Sequence, residues 1–183
     1  MARVPLLEDR EQLPPEAQPI YDQIATRRGN VPGPYQVLLH VPELAGRVGM
    51  LGQYLRFEGA LPAAVRETAI LAAARETNCA YEWSQHVPLA RAAGVPDQVI
   101  DAIREGRSLE SLPPQQMIPI AMARESVQRH RVPKDLFAAA QAQWGTPGVV
   151  ELVTTIGYYT MLAILLNAAD VQPAPGTPRL PVP

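Results

Sequence analysis

Proline placement constrains this chain more than any other feature. Pro42, Pro62, Pro96, Pro133 and Pro147 each stand at the head of a run with helical spacing. Proline has no N–H to donate and a φ held near about −65°, so it suits a first helical turn and damages a helix interior. The heads Val41-Pro42, Leu61-Pro62, Val95-Pro96, Val132-Pro133 and Thr146-Pro147 therefore predict helix starts. The first helix is expected to run to Phe57, while Gly106 and Gly145 end the third and fourth, and the fifth reaches Ala169. In residues 62–76 the apolar positions Val65, Ala69, Ile70, Ala72 and Ala73 fit a helical face. No segment alternates apolar and polar residues between Asn-Gly or Asp-Gly turns. An all-α helical bundle of about seven to nine helices is expected.

The remaining prolines divide the chain. Seven fall in residues 5–42 and five in the last twelve residues. This predicts a Pro-rich N-terminal arm over 1–34, a helical domain over 35–171 and an extended tail over 172–183. The arm keeps Leu6, Leu7, Leu13, Ile20 and Tyr21, which suit packing on the core or on a neighbouring subunit. A chain of 183 residues with 47% hydrophobic and 19% charged residues has the material for a core. Its net charge of −2, without a basic block, gives no electrostatic reason for nucleic acid or an anionic membrane as partner. Cys79 is the single cysteine, so no intrachain disulfide can form and a reducing compartment is expected. The N-terminal residues have no apolar core of a secretory signal, and the expected location is cytoplasmic.

The run at 148–168 is apolar on nearly all sides. Glu151, Asn167 and its threonines, without flanking Lys or Arg, favour a buried central helix over a membrane span. Glu151, Thr155 and Tyr158 share one side of it and are candidates to line a cavity.

The chemistry concentrates in residues 66–94. Thr77-Asn78 is a plausible break and helix cap, with a new helix beginning near Cys79. On that helix Cys79, Glu82 and His86 fall at i, i+3 and i+7, within about 60° of one another. A thiol, a carboxylate and an imidazole then share one stripe among Tyr81, Trp83 and Val87. Each taken singly has an ordinary structural explanation: a small buried hydrophobe, a first-turn acid, a core histidine.

The pattern Glu67, then Cys79-x-x-Glu82-x-x-x-His86, resembles the carboxymuconolactone decarboxylase and alkylhydroperoxidase D-like superfamily. In the peroxidase branch a Glu precedes a Cys-x-x-Cys-x-x-x-His motif by twelve residues, the spacing between Glu67 and Cys79. The phrase YEWSQHVPLARAAGV is similar to the decarboxylase-like branch, where Glu replaces the second cysteine. The match covers about residues 35–106, and GYYTMLAILLNAADV resembles the C-terminal part of longer members. The resemblance implies an AhpD-like helical fold, a homo-oligomer (trimer, hexamer or dimer) and a pocket near the subunit contacts. It also places a polar residue near the pocket at His40.

The departure at Glu82 redirects the chemistry. A two-thiol peroxide cycle needs a resolving cysteine, and this chain has none. The candidate catalytic residues are Glu67, Glu82, His86 and Cys79, with Tyr81, Trp83, His40 and Tyr158 as candidate pocket residues. A proton relay through Glu67, Glu82 and His86 would serve decarboxylation, isomerisation or lactone chemistry on a small organic acid, without a cofactor or metal. Such a site also needs a cation for the substrate carboxylate, and Arg56, Arg66, Arg75 and Arg91 lie nearby in sequence. Three alternatives stand beside the relay. One is a single-cysteine alkylhydroperoxidase using an external thiol, the second a metal site on the same residues, and the third a binding protein without catalysis.

Overall fold

A computed structural model describes residues 2–181, and every regular element among them is helical. The elements are α1 (Gln18–Arg28), α2 (Gly33–Leu38), α3 (Pro42–Gln53), α4 (Ala63–Glu76), α5 (Ala80–Ala92), α6 (Asp97–Glu105), α7 (Pro114–Arg129) and α8 (Lys134–Ala168). The proline heads act as expected: Pro42 occupies the first turn of α3, and Pro62 and Pro96 cap α4 and α6. Helix α3 continues into a π-helical turn at Tyr54–Glu58. Gly145, at φ 67° and ψ 177°, breaks α8 where the sequence predicts one helix to end and another to begin. Gly106, at φ 67°, ends α6, a left-handed position that costs glycine little.

Two features depart from the sequence reading. Helix α7 has no counterpart in it, because Pro119 lies in its interior. Pro88 does the same inside α5. Each ring removes the hydrogen bond to the carbonyl four residues back, so burial must carry helices that propensity opposes. Ile118, Pro119, Ile120, Met122 and Ala123 are all buried on α7. The break before α5 also differs in detail. Cys79 is its N-cap residue, and Asn78 takes a left-handed turn at φ 49°.

The chain forms two compact units. The first runs to Gly59 and takes in Leu165–Val171. Within it Gly49 lets α1 and α3 approach, since a Cβ there would lie 3.4 Å from Ile24 Cγ1. The Arg28 guanidinium sits 4.8 Å from the centre of the Tyr35 ring. The extended N-terminal segment is tied down by Arg3 N–H donating to the Ala169 carbonyl at 2.8 Å and Leu7 N–H to that of Gln36 at 3.2 Å.

The second unit runs from Ala60 to Ile164 and resumes at Gln172. Its centre is α4, buried from Glu67 through Ala74 on every side. Four alanines in that stretch keep the helix thin enough for α5, α6 and α7 to pack around it. The surrounding core includes Trp83, Val87, Ile103, Ile120, Met122, Leu152 and Ile156. Leu180, in the non-helical C-terminal segment, packs against this core. A stretch of α8 has a mean hydropathy of 1.8, long and apolar enough by composition to span a membrane, and half of it is buried.

Glu151 has a structural role in this unit. Its carboxylate accepts the backbone N–H groups of Ala60 at 3.2 Å and Leu61 at 2.9 Å. It thus fastens the entrance of α4, a use that the cavity-lining expectation did not foresee.

Candidate active site

Glu67 on α4 and Glu82 and His86 on α5 meet inside the second unit. The short Thr77–Cys79 turn folds α5 back along α4, so Glu67 comes opposite the second turn of α5. His86 Nδ1 lies 2.7 Å from Glu67 Oε2, and Nε2 lies 3.3 Å from Glu82 Oε2. Glu82 and His86 are one helical turn apart on one face. All three side chains are about as buried as the apolar core, at 4–5% exposure.

A histidine in that position is pulled two ways. Burial lowers its proton affinity, whereas hydrogen bonds to Glu67 and Glu82 and the nearness of their charges raise it. The attractions win, and His86 is pushed up to about 9. At neutral pH it is an imidazolium with both N–H groups directed at carboxylates, a proton donor in its resting state. Glu82 Oε1 is buried and has no hydrogen-bond partner among the described residues. A buried carboxylate oxygen left open is costly in a fold and available to a ligand.

Tyr159 closes one side of the triad. Its ring meets that of His86 edge to face, with centroids 4.9 Å apart at 85°. Tyr158 stands one ring further out, edge to face with Tyr159 at 5.3 Å. Sequence reasoning singled out Tyr158 and passed over Tyr159, because adjacent tyrosines on an apolar helix give no sign of which one faces a distant histidine.

The other candidates are placed as follows. Cys79 is fully buried, and burial pushes its thiol up to about 12, a rise only partly offset by the Glu82 and Tyr81 backbone amides. The thiol is therefore protonated, and the leaning toward thiolate expected of a helix N-terminus is overcome by desolvation. Trp83 points into the hydrophobic core of the unit, and Tyr81 is half-buried on the first turn of α5. His40 belongs to the first unit, where it is exposed and its Nε2 lies 2.8 Å from the Pro5 carbonyl oxygen. Among the described residues no group of three His, Cys, Asp or Glu side chains is arranged to hold a metal ion.

Residues 42–111 match the carboxymuconolactone decarboxylase family, a span that includes Glu67, Cys79, Glu82 and His86. No curated protein matches the sequence. Among solved structures the chain resembles an alkylhydroperoxidase AhpD core, an uncharacterized peroxidase-related protein from Ralstonia eutropha JMP134. The TM-score is 0.77 at 19% identity, over 95% of this chain and 93% of that one. A cysteine-to-alanine variant of the debrominase Bmp8 in complex with 2,3,4-tribromopyrrole is similar at TM-score 0.75 and 16% identity, over 96% and 95% of the two chains. A peroxidase-related protein from Silicibacter sp. TM1040 follows at TM-score 0.74 and 15% identity, over 95% and 92%. The chain has the all-helical fold of these AhpD-like structures, and its residues 42–111 are similar to the carboxymuconolactone decarboxylase family.

Proposed function

We propose that this protein is a cofactor-independent acid–base enzyme acting on a small organic acid or lactone, with decarboxylation as the leading reaction. The observation that carries the reading is a buried histidine ring held between two carboxylates, one of which keeps an unpartnered oxygen among the described residues. In a decarboxylation the C–C bond to the carboxylate breaks and CO2 leaves. The electron pair stays on the substrate as a delocalised anion, which must then take one proton. Glu82 takes a proton from His86 Nε2, becoming a carboxylic acid, and passes it to the substrate carbon; water then returns one proton to the neutral ring. Glu67 holds the ring through Nδ1 and supports its positive charge. The same arrangement serves isomerisation, where a proton leaves one carbon and returns to another.

A thiol reading is favoured by the likeness to a debrominase studied as a cysteine variant with its ligand bound. In this chain it would run through Cys79 and an external thiol. The buried, protonated state of Cys79 weighs against it. One experiment separates the two. Small carboxylated lactones and unsaturated acids are incubated with the protein in deuterated buffer, with and without dithiothreitol. The acid–base reading expects CO2 release or solvent deuterium in the product, independent of added thiol and retained within about threefold in Cys79→Ser, a near-isosteric change. Turnover that requires the external thiol and vanishes in Cys79→Ser would transfer the assignment to sulfur chemistry.

A homo-oligomer in the cytoplasm belongs to the same proposal. Val150, Val153, Met161 and Ile164 on α8 are 57%, 37%, 43% and 62% exposed. They fall within about 80° of one another around the helix, and a second copy is the occupant proposed for this face. Light scattering should give a mass above that of one chain. Met161→Glu with Ile164→Glu should reduce it to the single chain, and a monomeric parent protein would refute the assembly.

A further inference from the structure

Four arginines compete for the role of anion binder near the triad, and three are already engaged. Arg75 donates to the Arg104 carbonyl at 2.9 Å and to Asn78 Oδ1 at 3.1 Å. Arg91 pairs with Asp97 at 2.7 Å on the exposed surface. Arg56 lies in the first unit, 5.2 Å from the centre of the Phe57 ring. Arg66 is different. Its side chain is only 14% exposed, and its Nε is buried without a hydrogen-bond partner among the described residues. Its one ion-pair neighbour there is Glu67 Oε1, at 3.6 Å, too long for a hydrogen bond.

A guanidinium carries five N–H donors in a planar fork that fits a carboxylate. Burying one beside a carboxylate without hydrogen-bonding it wastes much of the pairing energy. The position is nonetheless specific. Arg66 precedes Glu67 in sequence, and Glu67 is the residue that holds His86. Cation and carboxylate thus alternate along Arg66, Glu67, His86 and Glu82, with an unused donor at one end and an unused acceptor at the other.

We infer that Arg66 binds an anionic oxygen of the substrate beside the Glu67–His86–Glu82 triad, and so selects a carboxylate-bearing ligand. The inference rests on the acid–base reading for what happens next, but not for the binding itself. Charge logic also says which anion is held. A cation on a departing carboxylate would oppose loss of neutral CO2, so Arg66 suits a carboxylate that the reaction leaves in place.

The test uses the full chain with benzoate as probe and benzamide as its uncharged counterpart. Binding is followed by calorimetry and by the ring resonances of the three histidines. Benzoate should bind saturably, shift the His86 signals, and bind at least about tenfold more tightly than benzamide. Arg66→Gln should weaken benzoate about ten- to a hundredfold, and Arg66→Lys, which keeps the charge without the fork, by less. A thermal melt establishes that each variant is folded. If Arg66→Gln is not, the decision passes to Arg66→Lys, which must still lose several-fold. Absence of benzoate binding, equal binding of benzamide, or undiminished affinity in the folded variants would overturn the proposal. Glu82→Gln keeps the two readings apart. Benzoate affinity retained there but lost in Arg66→Gln supports the anion site even if turnover proves insensitive to Glu82. Turnover lost in Glu82→Gln with benzoate binding unchanged in Arg66→Gln would leave the relay standing and remove Arg66.

Discussion

Alanine at His86 is expected to cost the fold about 3–5 kcal/mol at neutral pH, the range for removing one partner of a buried ion pair. Two carboxylates at 4% exposure would lose the cation between them, in a unit whose centre is otherwise apolar. Urea denaturation of the variant and its parent measures the loss. A triple change, His86→Leu with Glu67→Gln and Glu82→Gln, should recover most of it, because the penalty lies in uncompensated charge more than in lost shape. The parent protein should show the same coupling as a pH dependence. Its His86 is pushed up to about 9 from an ordinary 6.5, so the folded state holds that proton more tightly than the unfolded chain does. The resulting stabilisation, roughly 3 kcal/mol, is complete below about pH 6.5 and is lost as pH rises through about 9. This limb should be absent from His86→Ala. A flat parent profile between pH 6.5 and 9, or an alanine variant within 1 kcal/mol of the parent, would mean that the three side chains are not electrostatically coupled.

The second large effect is catalytic. Glu82→Gln keeps the size and hydrogen-bonding reach of the side chain but cannot carry the proton. It should lower kcat by about 10²–10⁴ while leaving KM within a few-fold. Glu67→Gln should act differently. It removes a negative charge from Nδ1 of His86, so the ring gives up its proton more easily and the alkaline limb of the pH–rate profile moves to lower pH. Comparison of the two profiles distinguishes the group that transfers the proton from the one that sets the affinity of its neighbour. Equal losses with unshifted limbs would argue that both carboxylates only maintain the fold.

Much of this arrangement is legible in the amino-acid sequence because it is built from short separations. Glu82 and His86 are four apart, which on a helix means one face, and proline heads mark most of the helices that carry the rest. Glu67 is harder. Periodicity puts it on a helix, but only the twelve-residue interval to Cys79, read through a family resemblance, pairs it with the histidine. Tyr159 and Arg66 are not legible in the same way. The first reaches the site through the tertiary packing of α8, and the second is separated from three similar arginines by burial alone. Helix α7 escapes notice for a related reason. Its interior proline argues against a helix locally, and only the burial of its apolar side chains outweighs that local preference. The protonated state of Cys79 is not legible either, because position in the chain says nothing about the water around a sulfur.

The turn at Thr77–Cys79 has a consequence for how such a protein can diversify. Because α4 and α5 are consecutive, the reactive trio is assembled by a hairpin spanning only 19 residues from Glu67 to His86. Its formation needs little loop closure and can come early in folding. The proton-moving groups and Arg66 beside them then travel together on one helix pair, while the other walls, such as Tyr159 from α8, come from distant stretches and can be exchanged for new molecules without dismantling the machinery that moves the hydrogen ion.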